Sequence, residues 1–232
     1  ALDHGQCARA TVPGGVRAIM VINPQEILRF AKERFSAARG SHGWDHTERV
    51  YKLCRHIGQA EGADLEVLRI AAYLHDVGRS YEDESKGTIC HAAKGAEIAH
   101  TLLATYPLSE EEKKNIVHCI ASHRFRGHHA PRTLEARILF DADKLDSIGA
   151  IGIGRAFLFA GEVGAKLHNP EADFHTTRPY TEEDTAYREF RLKLSKIKDR
   201  MLTAEGKRLA EERHAFMENF FERFQQEHEG KK

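Results

Sequence analysis

Cysteine is sparse in this sequence, and what there is has no useful spacing. Cys7, Cys54, Cys90 and Cys119 form no CxxC pair, which excludes a zinc knuckle and a dithiol redox motif. Reduced thiols in a cytoplasmic protein are the simplest expectation. Net charge is missing too: 35 lysines and arginines balance 35 aspartates and glutamates. That balance offers no broad basic surface for nucleic acid or membrane, while leaving room for a local basic pocket. No apolar run approaches the about 20 residues a bilayer requires. The N-terminus lacks an uninterrupted apolar stretch and carries Asp3, His4 and Arg9 early, unlike a secretory signal. Its Pro13-Gly14-Gly15 cluster and lack of periodicity read as a poorly ordered arm over residues 1–22. Strand-like alternation and internal repeats are absent. Gly149, Gly152 and Gly154 do not match GxGxxG and follow no strand, so they are not read as a dinucleotide fingerprint.

What is there is helical periodicity, over a chain of 232 residues that is 41% hydrophobic. That suffices for one core, placed at residues 23–232. Asn23-Pro24 opens a helix whose apolar face is Ile27, Leu28, Phe30, Ala31 and Phe35, ending by Gly40. A second helix, about 45–59, lines up Val50, Leu53, Cys54 and Ile57, with His46 one turn earlier on that side. A third, about 64–76, points Leu65, Leu68 and Ala72 inward; His75 continues the stripe and Gly78 stops it. A loop around Tyr81–Thr88 precedes a helix at about 92–106. Ser109 with Glu112 is a capping-box pattern for the next, where Ile116, Ile120 and His123 share a stripe. A further helix spans Leu134–Leu145. Residues 161–180, rich in Gly, Pro, His and Thr, read as a long loop, the usual form of a lid. Two helices close the chain over 181–228. One carries Tyr187, Phe190, Leu194, Ile197 and Met201 at three-four spacing; the other carries Leu209, Phe216, Phe220 and Phe224. These aromatics read as core packing, with a homodimer surface as the sharper alternative.

Three helices place His or Asp on or next to a buried apolar stripe: His46, then His75-Asp76, then Asp141 or Asp143. Imidazole and carboxylate suit Mn, Fe, Mg or Zn ions, and helix bundles build metal sites by aiming such groups inward. A lone inward histidine is usually a hydrogen-bonded core residue. An adjacent His-Asp at a helix end, with candidates on two other helices, is a stronger signal, because a buried carboxylate needs a partner. Spacing leaves Asp141 and Asp143 both open.

The ordered segments His46-Thr47-Glu48-Arg49-Val50, Leu74-His75-Asp76-Val77-Gly78-Arg79 and Ala142-Asp143-Lys144-Leu145-Asp146 resemble the signature of the HD-domain metal-dependent phosphohydrolase superfamily. The match centres on residues 40–150. The chain is similar to the small single-domain bacterial branch that includes nucleoside triphosphate pyrophosphohydrolases. The resemblance implies an all-α fold, a single compact helical bundle with the C-terminal helices packed on it. It implies His46, His75, Asp76 and Asp143 as ligands of a divalent ion, Mn²⁺ or Mg²⁺ ahead of Fe, Co, Ni or Zn. Asp141 and Asp146 then become outer residues that steady the ligands. His91 and His123 resemble later histidines of binuclear relatives, as second-metal or proton-donating groups. Those relatives usually carry two adjacent histidines where this chain has His123-Arg124, so one ion is favoured, with two as the alternative. Arg79 and Lys144 are the expected phosphate-binding cations. The implied substrate is a small-molecule nucleotide, a (deoxy)nucleoside triphosphate cut to monophosphate and pyrophosphate. The alternatives are phosphomonoesterase or phosphodiesterase action on another nucleotide, or a catalytically silent metal or nucleotide sensor. Neither nucleic acid nor membrane is an expected partner.

Overall fold

A computed structural model describes residues 24–35, 43–124 and 129–232. The N-terminal arm, Asn23, Gly40 and Phe125 lie outside these residues. Within them the fold is all-α, and no helix is long and apolar enough to cross a membrane.

The first helix, α1, is Pro24–Phe35. Helix α2, Trp44–Glu61, buries His46, Val50, Cys54 and Ile57 and ends at Gly62. Gly62 takes a left-handed φ of 73° and returns its N–H to Gly58 O, a turn that glycine makes without strain. Helix α3, Leu65–Leu74, starts where the Asp64 carboxylate accepts from the N–H groups of Glu66 and Val67. A six-residue helix, α4, Arg79–Glu84, fills what reads in the sequence as loop. Helices α5, His91–Leu103, and α6, Glu110–Ser122, follow. The Ser109–Glu112 capping box is fully formed. Helix α7 is Leu134–Leu145, capped by Thr133.

Helix α2 packs on α3 and α7, and α6 packs on α3, α5 and α7. Their shared interior holds Val50, Ile57, Leu68, Leu74, Ile116, Ile120, Ile138 and Leu139, all fully buried. Each such side chain contributes about 1.5–3 kcal/mol by leaving water. That core fixes the helix ends on which the site is built.

The last part of the chain departs most from the sequence expectation. Helix α8, Gly149–Glu162, occupies the glycine-rich stretch. A Cβ at Gly152 would lie 2.3 Å from Ser147 O, so only glycine lets the helix turn this close to the preceding backbone. The expected helix through Met201 divides into α9, Ala186–Leu192, and two short 3₁₀ turns, Leu194–Lys196 and Lys198–Arg200. Leu194, Ile197 and Met201 remain buried, because 3₁₀ turns also return a side chain to one face every three residues. Helix α10, Ala204–His228, packs on α2, α7 and α8. Phe157 of α8, Tyr187 and Phe190 of α9, and Phe221 and Phe224 of α10 form one aromatic seam, with Phe190 and Phe221 stacked at 4.6 Å. The C-terminal aromatic stripe thus fills an interior seam, although Phe216 is half exposed. The segment between α8 and α9 is tied to the body through His168, whose ring packs on Tyr187, Phe224 and His228, and through the Asp184–Arg188 ion pair.

Candidate metal centre

Four histidines converge from four helix ends. His75 and His123 are the residues at which α3 and α6 terminate. Each turns its Nδ1 onto the carbonyl three residues back, Ala72 O and Ile120 O, both at 2.7 Å. A carbonyl only accepts, so each Nδ1 carries the proton and each Nε2 is left with a lone pair. His46 and His91 lie in the first turns of α2 and α5. Their Nδ1 atoms face carboxylates: His46 meets Asp146 Oδ2 at 2.7 Å, and His91 makes a very short contact with Glu82. The same logic turns both Nε2 atoms inward.

The inward atoms form two groups. His46 Nε2 lies 3.3 Å from His75 Nε2 and 3.4 Å from Asp143 Oδ1. His91 Nε2 lies 3.1 Å from His123 Nε2. Asp76 stands between the groups. Its Oδ1 is 3.1 Å from His91 and 3.5 Å from His123, while its Oδ2 is 3.8 Å from His75 and 4.0 Å from His46. The sets His46–His75–Asp143 and Asp76–His91–His123 each bring three ligand atoms within 4.8 Å of one another. Nitrogens and carboxylate oxygens this close need a proton or a cation among them. Imidazole plus carboxylate is the donor set of Mn, Fe, Mg and Zn ions, so the residues present fit a divalent metal. The geometry offers a second position beyond the one-ion arrangement expected from the sequence.

A family model for the HD domain matches residues 43–148, the stretch that carries every one of these groups. The chain is 34% identical over 201 residues to YpgQ of Bacillus subtilis, covering 84% of this chain and 89% of that one. This chain belongs to the HD-domain metal-dependent phosphohydrolase superfamily. The crystal structure of YpgQ in complex with ADP superposes with a TM-score of 0.67 at 28% identity, covering 88% of this chain and 94% of that one. An HD-superfamily hydrolase from Bacillus thuringiensis gives a TM-score of 0.65 at 30% identity, covering 88% and 95%.

The electrostatics of the HD centre follow from its burial. Asp76 and all four histidines are at most 2% exposed. Burial alone would raise the Asp76 pKa; the imidazoles of His75, His123 and His91 and the Arg79 guanidinium outweigh it and hold the carboxyl well below the usual range. Asp143 is likewise depressed against burial, by Lys144 and His46. Burial pushes His75 down to about 4. His46 would also fall by burial, but hydrogen bonds to Asp143 and Asp146 lift it to about 9.

The expected cations sit at the rim. Arg79, with an ion pair to Asp83 or Glu84 as its ordinary alternative, instead reaches back one turn to Asp76 at 3.0 Å, and its buried Nε has no hydrogen-bond partner. Lys144 Nζ lies 2.6 Å from Asp143 Oδ2. Asp146 binds His46, Arg49 Nε at 2.6 Å and Arg155 at 2.7 Å. Asp141 does something else. It is fully buried, and its carboxylate accepts from the N–H groups of Leu202 and Thr203 and from Thr203 Oγ1. Those bonds tie it to the start of α10. Of the aromatics in the loops, Phe174 packs edge-on against Tyr187 and Tyr180 against Phe159.

Sequence reasoning missed Glu82, Arg124, Arg49 and Arg155. Glu82 is on a helix too short to show an apolar stripe. Arg124 is visible only as a departure from the two-histidine pattern. Arg155 comes from α8, which glycine conceals. Arg49 stands one turn after His46, but the partner that matters, Asp146, is 97 residues away, so no local spacing signals the pair.

Proposed function

We propose that this HD domain hydrolyses a nucleoside triphosphate, deoxynucleotides included, to a monophosphate and pyrophosphate, using divalent cations at both triads. The observation that carries this reading is the paired His/carboxylate clusters meeting at Asp76, with cationic side chains at their rim. The nucleotide class draws support from the ADP bound by YpgQ. His46, His75 and Asp143 are the proposed ligands of one ion, His91 and His123 of the other, with Asp76 serving both. Mn²⁺ or Mg²⁺ is the proposed metal.

Such cations, when bound, activate water and polarise phosphoryl oxygens. The chain's own residues supply the rest. Asp146 keeps His46 in the tautomer that faces inward. Arg79 and Lys144 are 26% and 20% exposed at the side chain, against 1–2% for Asp76 and His46, so they mark the side from which an anion enters. Each is proposed to exchange its present carboxylate contact for phosphate oxygens and to neutralise charge that builds during cleavage. The unpartnered Arg79 Nε is a donor still available for that contact.

The test is a nucleotide panel with product identification, run on metal-stripped protein resupplied with Mn²⁺ or Mg²⁺. Pyrophosphate release is expected, and the His75→Ala/Asp76→Ala double variant is expected to fall to background. Orthophosphate release would replace this reading with a phosphomonoesterase. A wild type no faster than the double variant on any nucleotide would remove the substrate assignment.

A further inference from the structure

The two triads are built on one plan. Each has one histidine at a helix C-terminus with its Nδ1 on a backbone carbonyl, His75 and His123. Each has one histidine in a first turn with its Nδ1 on a carboxylate, His46 on Asp146 and His91 on Glu82. Each of those carboxylates is gripped by arginine. Arg49 and Arg155 hold Asp146, and Arg124 Nη1 holds both oxygens of Glu82 at 2.9 and 3.0 Å. Glu82 also accepts from the His91 backbone N–H at 3.3 Å, and Arg124 Nη1 lies 3.4 Å from His91 Nδ1. His91, Glu82 and Arg124 therefore form one partly buried relay whose inner end is the His91 Nε2.

We infer that Glu82 and Arg124 are positioning residues for the second metal position, acting through His91. Glu82 fixes the tautomer and ring angle of His91 so that Nε2 points at His123 and Asp76, and Arg124 fixes Glu82. Arg124 stands where the sequence pattern of binuclear relatives has a second histidine. Here it adds no ligand of its own but makes the single remaining pair competent. The inference rests on the two-ion reading above. A carboxylate behind a ligating histidine typically carries about 10–100-fold in metal affinity.

The test counts metal on the full chain. Wild type, Glu82→Gln, Arg124→Ala and Arg124→Lys are stripped, titrated with Mn²⁺ and assayed for ions bound per chain, with the spin coupling of a Mn²⁺ pair read by electron paramagnetic resonance. Glu82→Gln preserves the shape of the side chain, and thermal unfolding of each metal-free variant confirms folding. The expected result is two ions in wild type. In Glu82→Gln and Arg124→Ala the second ion binds 10–100-fold more weakly and the coupled signal disappears at the wild-type saturating concentration, while the first affinity holds within about threefold. Arg124→Lys, which keeps the charge on Glu82, recovers part of the loss. A wild type that takes one ion overturns the two-ion reading and this inference with it. A two-ion wild type with both affinities unchanged in Glu82→Gln, or with both lost, overturns the inference alone.

Discussion

At the scale of single residues, the centre is a set of histidines whose outer nitrogens are all committed, which leaves the inner nitrogens for one use. His46 shows the consequence most directly. Its pKa in the folded, metal-free chain is raised from 6.5 to about 9. The stabilisation it gives that state is therefore complete below about pH 6.5 and fades as pH rises through about 9. A cation must displace the proton held at Nε2. Metal loading near pH 7.5 should release about one proton from this group, and apparent affinity should rise about tenfold per pH unit between 7 and 9. Calorimetric titration in buffers of differing ionisation enthalpy measures this. A heat independent of buffer contradicts it. The residue identities of the inner cluster were legible in the sequence, because the family signature is carried by short local strings. The outer partners were not. Asp146 is legible because it closes the Asp143 segment of the signature, although the histidine it binds, His46, is far away in sequence; Glu82 reaches His91 from a different helix and has no pattern of its own.

Among the elements, the clearest division of labour is between two aspartates two positions apart on α7, about 200° around its axis. Asp141 and Asp143 lie on the same helix and are indistinguishable by spacing. Asp141 faces the entry to α10: it accepts from the Leu202 and Thr203 N–H groups and from the Thr203 hydroxyl, which in turn caps the first turn by accepting from Gly206 N–H, and a negative charge there suits the helix dipole. Asp143 faces His46. Asp141→Ala is expected to lower unfolding stability by about 3 kcal/mol, because buried donors lose a charged acceptor, and to leave metal content unchanged. Asp143→Ala is expected to lose metal content, which Asp141→Ala retains. Urea unfolding and metal analysis of the two variants decide it, and equal metal loss in both would erase the distinction. Element by element, strong stripes and caps were readable: α2, α3, α6 and α10 rest on them. Helix α8 was not, because its glycines suppress the helical signal, and one of them, Gly152, is there for close approach to Ser147. The break after α9 was hidden as well, since a 3₁₀ turn preserves the three-residue return of side chains that also marks an α-helix.

For the molecule as a whole, the metal centre lies where α2, α3, α5, α6 and α7 end or begin, so ligand binding should read out as stability of the entire HD body. A ligand at 100 times its dissociation constant adds about 2.7 kcal/mol, and in a chain of this size each kcal/mol moves the midpoint by about 2–4 °C. Saturating Mn²⁺ is expected to raise the melting temperature by about 5–10 °C over protein held in chelator, by differential scanning calorimetry. No shift would mean that the clusters bind too weakly to matter to the fold. Asp76 has a place of its own in this picture. Its two carboxylate oxygens face different histidine pairs. The two candidate metal positions therefore have a common wall, and an ion held at one would set the carboxylate orientation that the other meets. If both positions bind an ion, the two binding steps are expected to be coupled through this carboxylate rather than independent.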